Sequence, residues 1–512
     1  MKRIITLILA AALLLGLLSG CSREKKPYVP TGDALEDGPG TTAATRPAGE
    51  EQSMAFAYYS DRSLNPYTCT DYTNRAFFSL LYQGLFTTDQ NYRTSPILCK
   101  TYTRSADMRT YTFTLESAAF SDGTTLTTAD VAASLEAAKA GDYYSGRFQH
   151  ITAIEIVDDS TFLIRLDTPM ENLPILLDIP IVKADQVAED IPIATGPYVV
   201  ENSLTGKRLR KRSVWWCSAE LPVTTPYIPL VKAESSQQIR DIFEETTIGF
   251  VCANPCSDAY ADFRSDYELW DCENGIMVYL SCHEDSEVFS NPAVRAALVR
   301  AIDREYLVQT FYRGFARSAY LPACPDSPYY DDKLAAQYTY DISLLTQAVS
   351  DAGLVGEEVV FLVNKEDTLR MRVARAIVQM LEKSGLDVNI LETTYQYCAD
   401  YLRYGEYDLY LGQTKLSPNM DLTPFFSSSG SLSYGVLDNV TLYALTLEAL
   451  ANSGNYYDLH RKVMDDGCLV PLLFHSYALY GGRGLVSDLQ PARDNIFYYD
   501  LGRTMADAVL TD

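Results

Sequence analysis

The stretch Val359–Leu391, VVFLVNKEDTLRMRVARAIVQMLEKSGLDVNIL, decides the fold class. Val359 to Val363 reads as a strand. From Asp367 to Lys383, Leu369, Val373, Ile377 and Leu381 share one helical face, and Gly385 ends the helix. Asp387 to Leu391 returns as a strand. Strand, helix and strand within about 35 residues form a right-handed crossover that feeds a parallel sheet. The second half of the chain is therefore expected to be α/β.

Upstream, Asn291 is a good helix N-cap and Pro292 suits the first helical position. Val294, Leu298, Ala301 and Ile302 form an apolar stripe, so one helix is expected to run on from Asn291, with Gly314 as its C′ residue. The first half is richer in hairpins. Between Arg109 and Glu116, Tyr111, Phe113 and Leu115 alternate with threonines, the pattern of a half-buried strand. Ile154 to Leu166 reads as a hairpin turning at Asp158-Asp159. Thr127 and Asp130 start a helix as a capping box, and Gly141 can end it. No internal repeat is visible.

The N-terminus indicates the compartment. Lys2 and Arg3 precede the apolar run Ile4–Leu18, which is shorter than the roughly 20 residues of a membrane span and fits a signal-peptide core. Residues 1–20 are read as that signal. Leu18-Ser19-Gly20-Cys21 resembles a bacterial lipobox, which implies a diacylglycerol on Cys21. Two acyl chains hold a protein stably on a membrane. Residues 21–53, rich in Pro, Gly and Thr, are read as a flexible tether.

The formal net charge of −25 becomes −27 without Lys2 and Arg3. So acidic a body disfavours nucleic acid, whose phosphates need Lys and Arg. With Cys21 assigned to lipid, ten of the eleven cysteines remain. They leave disulfides or free thiols equally open. Cys252-x-x-x-Cys256 has no matching downstream pair, and His150, His283, His460 and His475 form no ligand spacing, so no metal is expected. No His-Glu-x-x-His, Gly-x-Ser-x-Gly, phosphate loop or Gly-x-Gly-x-x-Gly occurs, and Gly481-Gly482-Arg483-Gly484 reads as a turn. Neither a catalytic residue nor a cofactor is expected.

An ordered set of motifs carries a resemblance. It comprises Ser63–Tyr67 (SLNPY), Leu81–Phe86 (LYQGLF), Phe120–Val131 (FSDGTTLTTADV), Thr195–Tyr198 (TGPY), Asn291–Arg304 (NPAVRAALVRAIDR), Tyr340-Asp-Ile, Tyr407-Asp-Leu and Val470–Leu473 (VPLL). Across residues 54–500 the chain resembles the extracellular solute-binding proteins of bacterial ABC transporters, peptide/nickel-binding class (family 5). Each motif also has a plain structural reading. Ser121-Asp122-Gly123 is a tight turn and the Ala301 segment is core, so the motifs are read as scaffold.

The resemblance implies an α/β, two-lobed periplasmic-binding-protein-like fold, type II, peptide-binding class, with two crossing hinge strands. These are expected near Gly275–Ser281 and Cys468–Phe474. Lobe 1 would take residues 54–275 plus 475–512, and lobe 2 residues 282–467. The implied function is capture of a solute, an oligopeptide above all, between the lobes and delivery to a membrane permease. The chain would act as a monomer, lipid-anchored on the extracytoplasmic face. A binding protein for a nickel complex, sugar or haem, a sensor or adhesion protein, and an extracytoplasmic hydrolase are the rivals.

Peptide-binding members often place an amine-binding aspartate after the Tyr-Asp-Leu strand. Here Ser417 stands at that place and Asp421 follows four residues later. Asp421, with Asn419 and Tyr434, is the candidate ligand-binding set, Asp421 receiving a cationic group such as a peptide α-amine. The alternative is that Asp421 caps the turn before Leu422–Phe425.

Overall fold

The computed structural model of the chain describes residues 54–204, 206–223, 225–260, 267–434, 439–483, 485 and 489–497. The signal segment, Cys21, the tether, Gly484 and the tail from residue 498 lie outside them.

The crossover of the second half forms as its pattern dictates. Strand Glu358–Asn364 runs parallel to Asp387–Thr393, with Val359 opposite Val388. Helix Thr368–Leu381 links them. Asp367 accepts the Arg370 N–H at its start, and Gly385 adopts φ +93° after its end. That left-handed turn favours glycine, which has no Cβ to clash.

These strands are one flank of an eleven-stranded mixed sheet. Next to them lies Leu409–Lys415, parallel to Glu358–Asn364. The other flank carries Tyr198–Ser203, Gly206–Lys211, Tyr227–Ala233, Phe56–Tyr59 and Phe250–Ala253. Two long antiparallel strands, Tyr267–Cys282 and Leu469–Gly482, join the flanks. The first pairs with Leu409–Lys415, the second with Phe250–Ala253. Their pairing is interrupted between Glu273 and Met277, where Gly275 takes φ +77°. A break in the ladder lets the pair bend there.

A four-stranded antiparallel sheet packs apart from this one. Its order is Cys99–Arg104, Thr110–Leu115, Thr161–Leu166, Ile151–Ile156. Tyr111, Phe113 and Leu115 are buried while Thr110, Thr112 and Thr114 are less so, as the alternation predicts. Helix Thr128–Ala140 begins at the expected capping box, Asp130 accepting the Thr127 N–H at 2.8 Å.

Several sequence expectations need correction. The helix from Asn291 is two helices, Pro292–Leu298 and Arg304–Phe311. The apolar stripe runs through both, but Asp303 takes an extended conformation and accepts the Tyr306 N–H, capping a new start. Gly481 and Gly482 complete the strand Leu469–Gly482, and the expected turn begins only at its end, where the Leu485 N–H donates to the Gly482 carbonyl at 3.1 Å. A Cβ at Gly481 would crowd the rings of Trp270 and Phe250.

The scaffold reading of the motifs has a physical basis. Arg304, fully buried, donates to the carbonyls of Ala319, Pro471 and Val299 at 2.9–3.0 Å, fastening a joining strand to the helices. Arg212 gathers the carbonyls of Ala119, Phe120, Thr195 and Gly196, tying the Phe120 turn to the Thr195–Tyr198 turn. All ten cysteines of the described residues are buried free thiols. No helix among those residues is long and apolar enough to cross a membrane.

Candidate functional site

A cavity of about 460 Å³ lies where segments from both sides of the joining strands meet. Its volume falls in the range of small-molecule sites, roughly 300–1,000 Å³. From the first half come Tyr72 and the turn Tyr143–Arg147, which follows helix Thr128–Ala140. Gly141 allows the chain to leave that helix, because a Cβ there would press on the Tyr67 carbonyl. From the second half come Gln413, Thr414 and Lys415, at the end of a strand held in register by Ile276 opposite Lys415. Arg493, on the segment after the second joining strand, closes one wall.

The electrostatics centre on Asp494, whose side chain is 1 % exposed. Arg147 reaches its Oδ2 at 2.5 Å and Lys415 its Oδ1 at 3.1 Å. The Tyr143 hydroxyl donates to the same Oδ1. Burial alone would raise the Asp494 pKa, but Lys415, Arg147, Arg493 and Arg75 together hold it well below the usual carboxylate range. Arg147 is also paired with Asp178. Burial pushes the Lys415 ammonium down to about 7 against the pull of Asp494. Lys415 and Arg75 both lie over the Tyr143 ring, 3.8 and 3.5 Å from its centroid.

Glu273, at the break in the joining strands, accepts from the Tyr92 hydroxyl at 2.7 Å and from the Gly275 N–H. Burial raises its pKa. A separate group, Glu284, Asp466 and Cys468, brings three donor atoms within 4.8 Å of one another. Burial raises the Cys468 thiol far above its ordinary pKa.

The residues singled out from sequence sit elsewhere. Asp421 is 4 % exposed, and both its oxygens are engaged. Oδ1 accepts the Thr423 N–H at 2.8 Å, the capping bond of the following turn. Oδ2 lies 3.2 Å from Nε2 of His150, in the other half of the chain. An incoming amine would have to displace His150. Asn419 is buried, taking the Ser417 hydroxyl at 2.7 Å on its side chain and the Tyr456 hydroxyl on its carbonyl. Tyr434 packs edge-on against Tyr410. Of this group only the neighbouring Leu416 and Ser417 line the cavity.

Residues 93–433 match the model of the bacterial extracellular solute-binding proteins, family 5, middle region. The chain belongs to this family. The glutathione-binding protein GsiB of Salmonella typhi is 27 % identical over 302 residues, covering 54 % of this chain and 57 % of GsiB. The chain thus matches little more than half the length of the curated relatives. Among solved structures, HbpA2 from Haemophilus parasuis superposes with a TM-score of 0.73 at 19 % identity, over 87 % of this chain and 99 % of that one. NikA from Brucella suis, in complex with Fe(III)-EDTA, gives 0.70 at 18 %, over 88 % and 99 %. These are two-lobed periplasmic binding proteins, and this family 5 chain shares their two-lobed α/β fold.

The sequence motifs that identify family 5 did not point to Arg147, Lys415, Arg493 or Asp494. Arg493-Asp494 looks like any polar surface dipeptide. The available signal was Gly275, a glycine at the start of an expected strand, where glycine can mark a close approach of other groups. A Cβ there would overlap the Arg493 guanidinium.

Proposed function

We propose that this family 5 chain is an extracytoplasmic binding protein that closes on a small peptide or peptide-like solute and passes it to an ABC permease without chemical change. The carrying observation is the cavity of about 460 Å³ lined from both halves and set beside the break in the two joining strands. Two bodies linked by two bendable strands are a hinge, and ligands bind between such bodies. We assign the bodies as residues 54–275 plus 475–512 and residues 282–467, with Cys21 as the lipid attachment. The glutathione-binding relatives favour a peptide-like solute.

Native mass spectrometry of the purified chain should find a small solute retained, and small-angle scattering should find the liganded form more compact than the empty one. A complex with no contraction from an open empty state would argue against the hinge. Turnover of the retained solute would argue for an enzyme.

A further inference from the structure

One wall of the cavity carries a buried guanidinium with donors left without a hydrogen bond. Arg493 has a side chain only 8 % exposed and lines the cavity between the two halves. Its Nη2 donates to the Leu416 carbonyl. Its Nε and Nη1 are buried and have no hydrogen-bond acceptor among the described residues. The carboxylates nearby are already used. Asp494 gives Oδ2 to Arg147 and Oδ1 to Lys415 and Tyr143, and stands 4.0 Å from Arg493 Nε. Glu273 gives both oxygens to Tyr92 and Gly275. Asp178 serves Arg147.

A buried guanidinium needs an acceptor, because its desolvation is otherwise uncompensated. Guanidinium donors match carboxylate oxygens in both charge and geometry. Arg147, Lys415 and Arg493 line the cavity, and the carboxylates beside them are Asp178, Asp494 and Glu273. Asp142 adds a negative charge only at the exposed rim.

We propose that Arg493 is the carboxylate anchor of the cavity, and that the captured solute is an anion presenting a carboxylate to its Nε and Nη1 donors. This rests on the solute-capture reading above and names the class of solute. Gly275 is part of the device. Its bare Cα lets the guanidinium lie against the break in the joining strands, so the anchor sits where the two halves turn against one another. A peptide C-terminus, an acidic side chain and a non-peptide organic acid all supply the same group.

The test uses the purified full-length chain and two mixtures, a casein peptide digest and a set of organic acids (citrate, succinate, malate). Each is offered as it is and after methyl esterification of its carboxyls. Retained species are identified by native mass spectrometry, and affinities are then measured by calorimetry. The free-acid form of one mixture should be retained and its ester form rejected. Which mixture it is separates a peptide from a non-peptide acid. Arg493→Gln should weaken binding about 100-fold with the melting temperature of the empty protein nearly unchanged. Should that variant fail to fold, Arg493→Lys keeps the charge and should bind about 10-fold more weakly while still preferring acid over ester. Equal retention of acid and ester, or wild-type affinity in Arg493→Gln, would overturn the anchor and leave solute capture standing. Retention of nothing from either mixture would overturn both.

Discussion

Asp421→Asn tests what the sequence-selected carboxylate does. The substitution keeps the side-chain volume and the acceptor for the Thr423 N–H, and replaces the charged acceptor facing His150 with an amide donor. His150 is 5 % exposed, with Nδ1 at 2.9 Å from Asp167 and Nε2 at 3.2 Å from Asp421. Burial alone would lower its pKa, but the hydrogen bonds and charges of Asp421 and Asp167 outweigh it and raise the pKa above 6.5. A raised folded-state value means the pair stabilises fully below pH 6.5 and loses that contribution as pH rises through the folded value. A hydrogen bond to a charged group is worth about 1.5–3 kcal/mol. Urea unfolding should therefore give Asp421→Asn a loss of about 2 kcal/mol at pH 5.5 that is smaller at pH 8.5. The double variant with His150→Gln should be no worse than either single one. An equal loss at both pH values would refute the ion-pair reasoning. Affinity for a free-amine peptide should change by only a few-fold. A loss of two decades, with apo stability intact, would make Asp421 the amine anchor.

Two further outcomes follow from the scaffold. Gly275→Ala places a Cβ at φ +77° and against the Arg493 guanidinium; it should cost about 1–2 kcal/mol in thermal unfolding and weaken ligand binding by displacing the anchor. Arg304→Met removes the buried donor to the Ala319, Pro471 and Val299 carbonyls; a loss of about 3 kcal/mol is expected in chemical denaturation, and a neutral result would mean that the cost of burying its charge equals those bonds.

The sequence carried the fold well because local pattern and tertiary structure agree there. Asp367, Leu369 to Leu381 and Gly385 encode a helix with both ends specified, and the flanking strands pair as the crossover rule requires. The break at Val299–Asp303 was less legible, since an apolar stripe continues across it while Asp303 restarts the helix locally. The cavity was the least legible part. Arg147, Lys415 and Asp494 are far apart in sequence and become neighbours only when the joining strands bring both halves together. Position within a motif drew attention to Asp421, yet its oxygens serve a turn and a histidine. Arg493 carries no motif and has the unpartnered donors.

The chain is strongly acidic, whereas three of the four charged side chains lining the cavity are basic. A chain of formal charge −25 repels an anionic solute at a distance, though only within a Debye length of about 8 Å at physiological ionic strength. Attraction begins inside the cavity, where Arg147, Lys415 and Arg493 are removed from water and screened little. Selection among anions must then come from enclosed contacts and not from long-range steering. The cations also come from different parts of the chain. Arg147 belongs to the first half, Lys415 to the second, and Asp494, which both contact, follows the second joining strand. Opening the halves would separate Lys415 from Asp494 and Arg147, whereas a bound carboxylate would add a further negative charge between these cations in the closed arrangement. A ligand shifts a conformational equilibrium only through such differential contact. An anionic solute held by Arg493 is thus the species that would favour the closed arrangement.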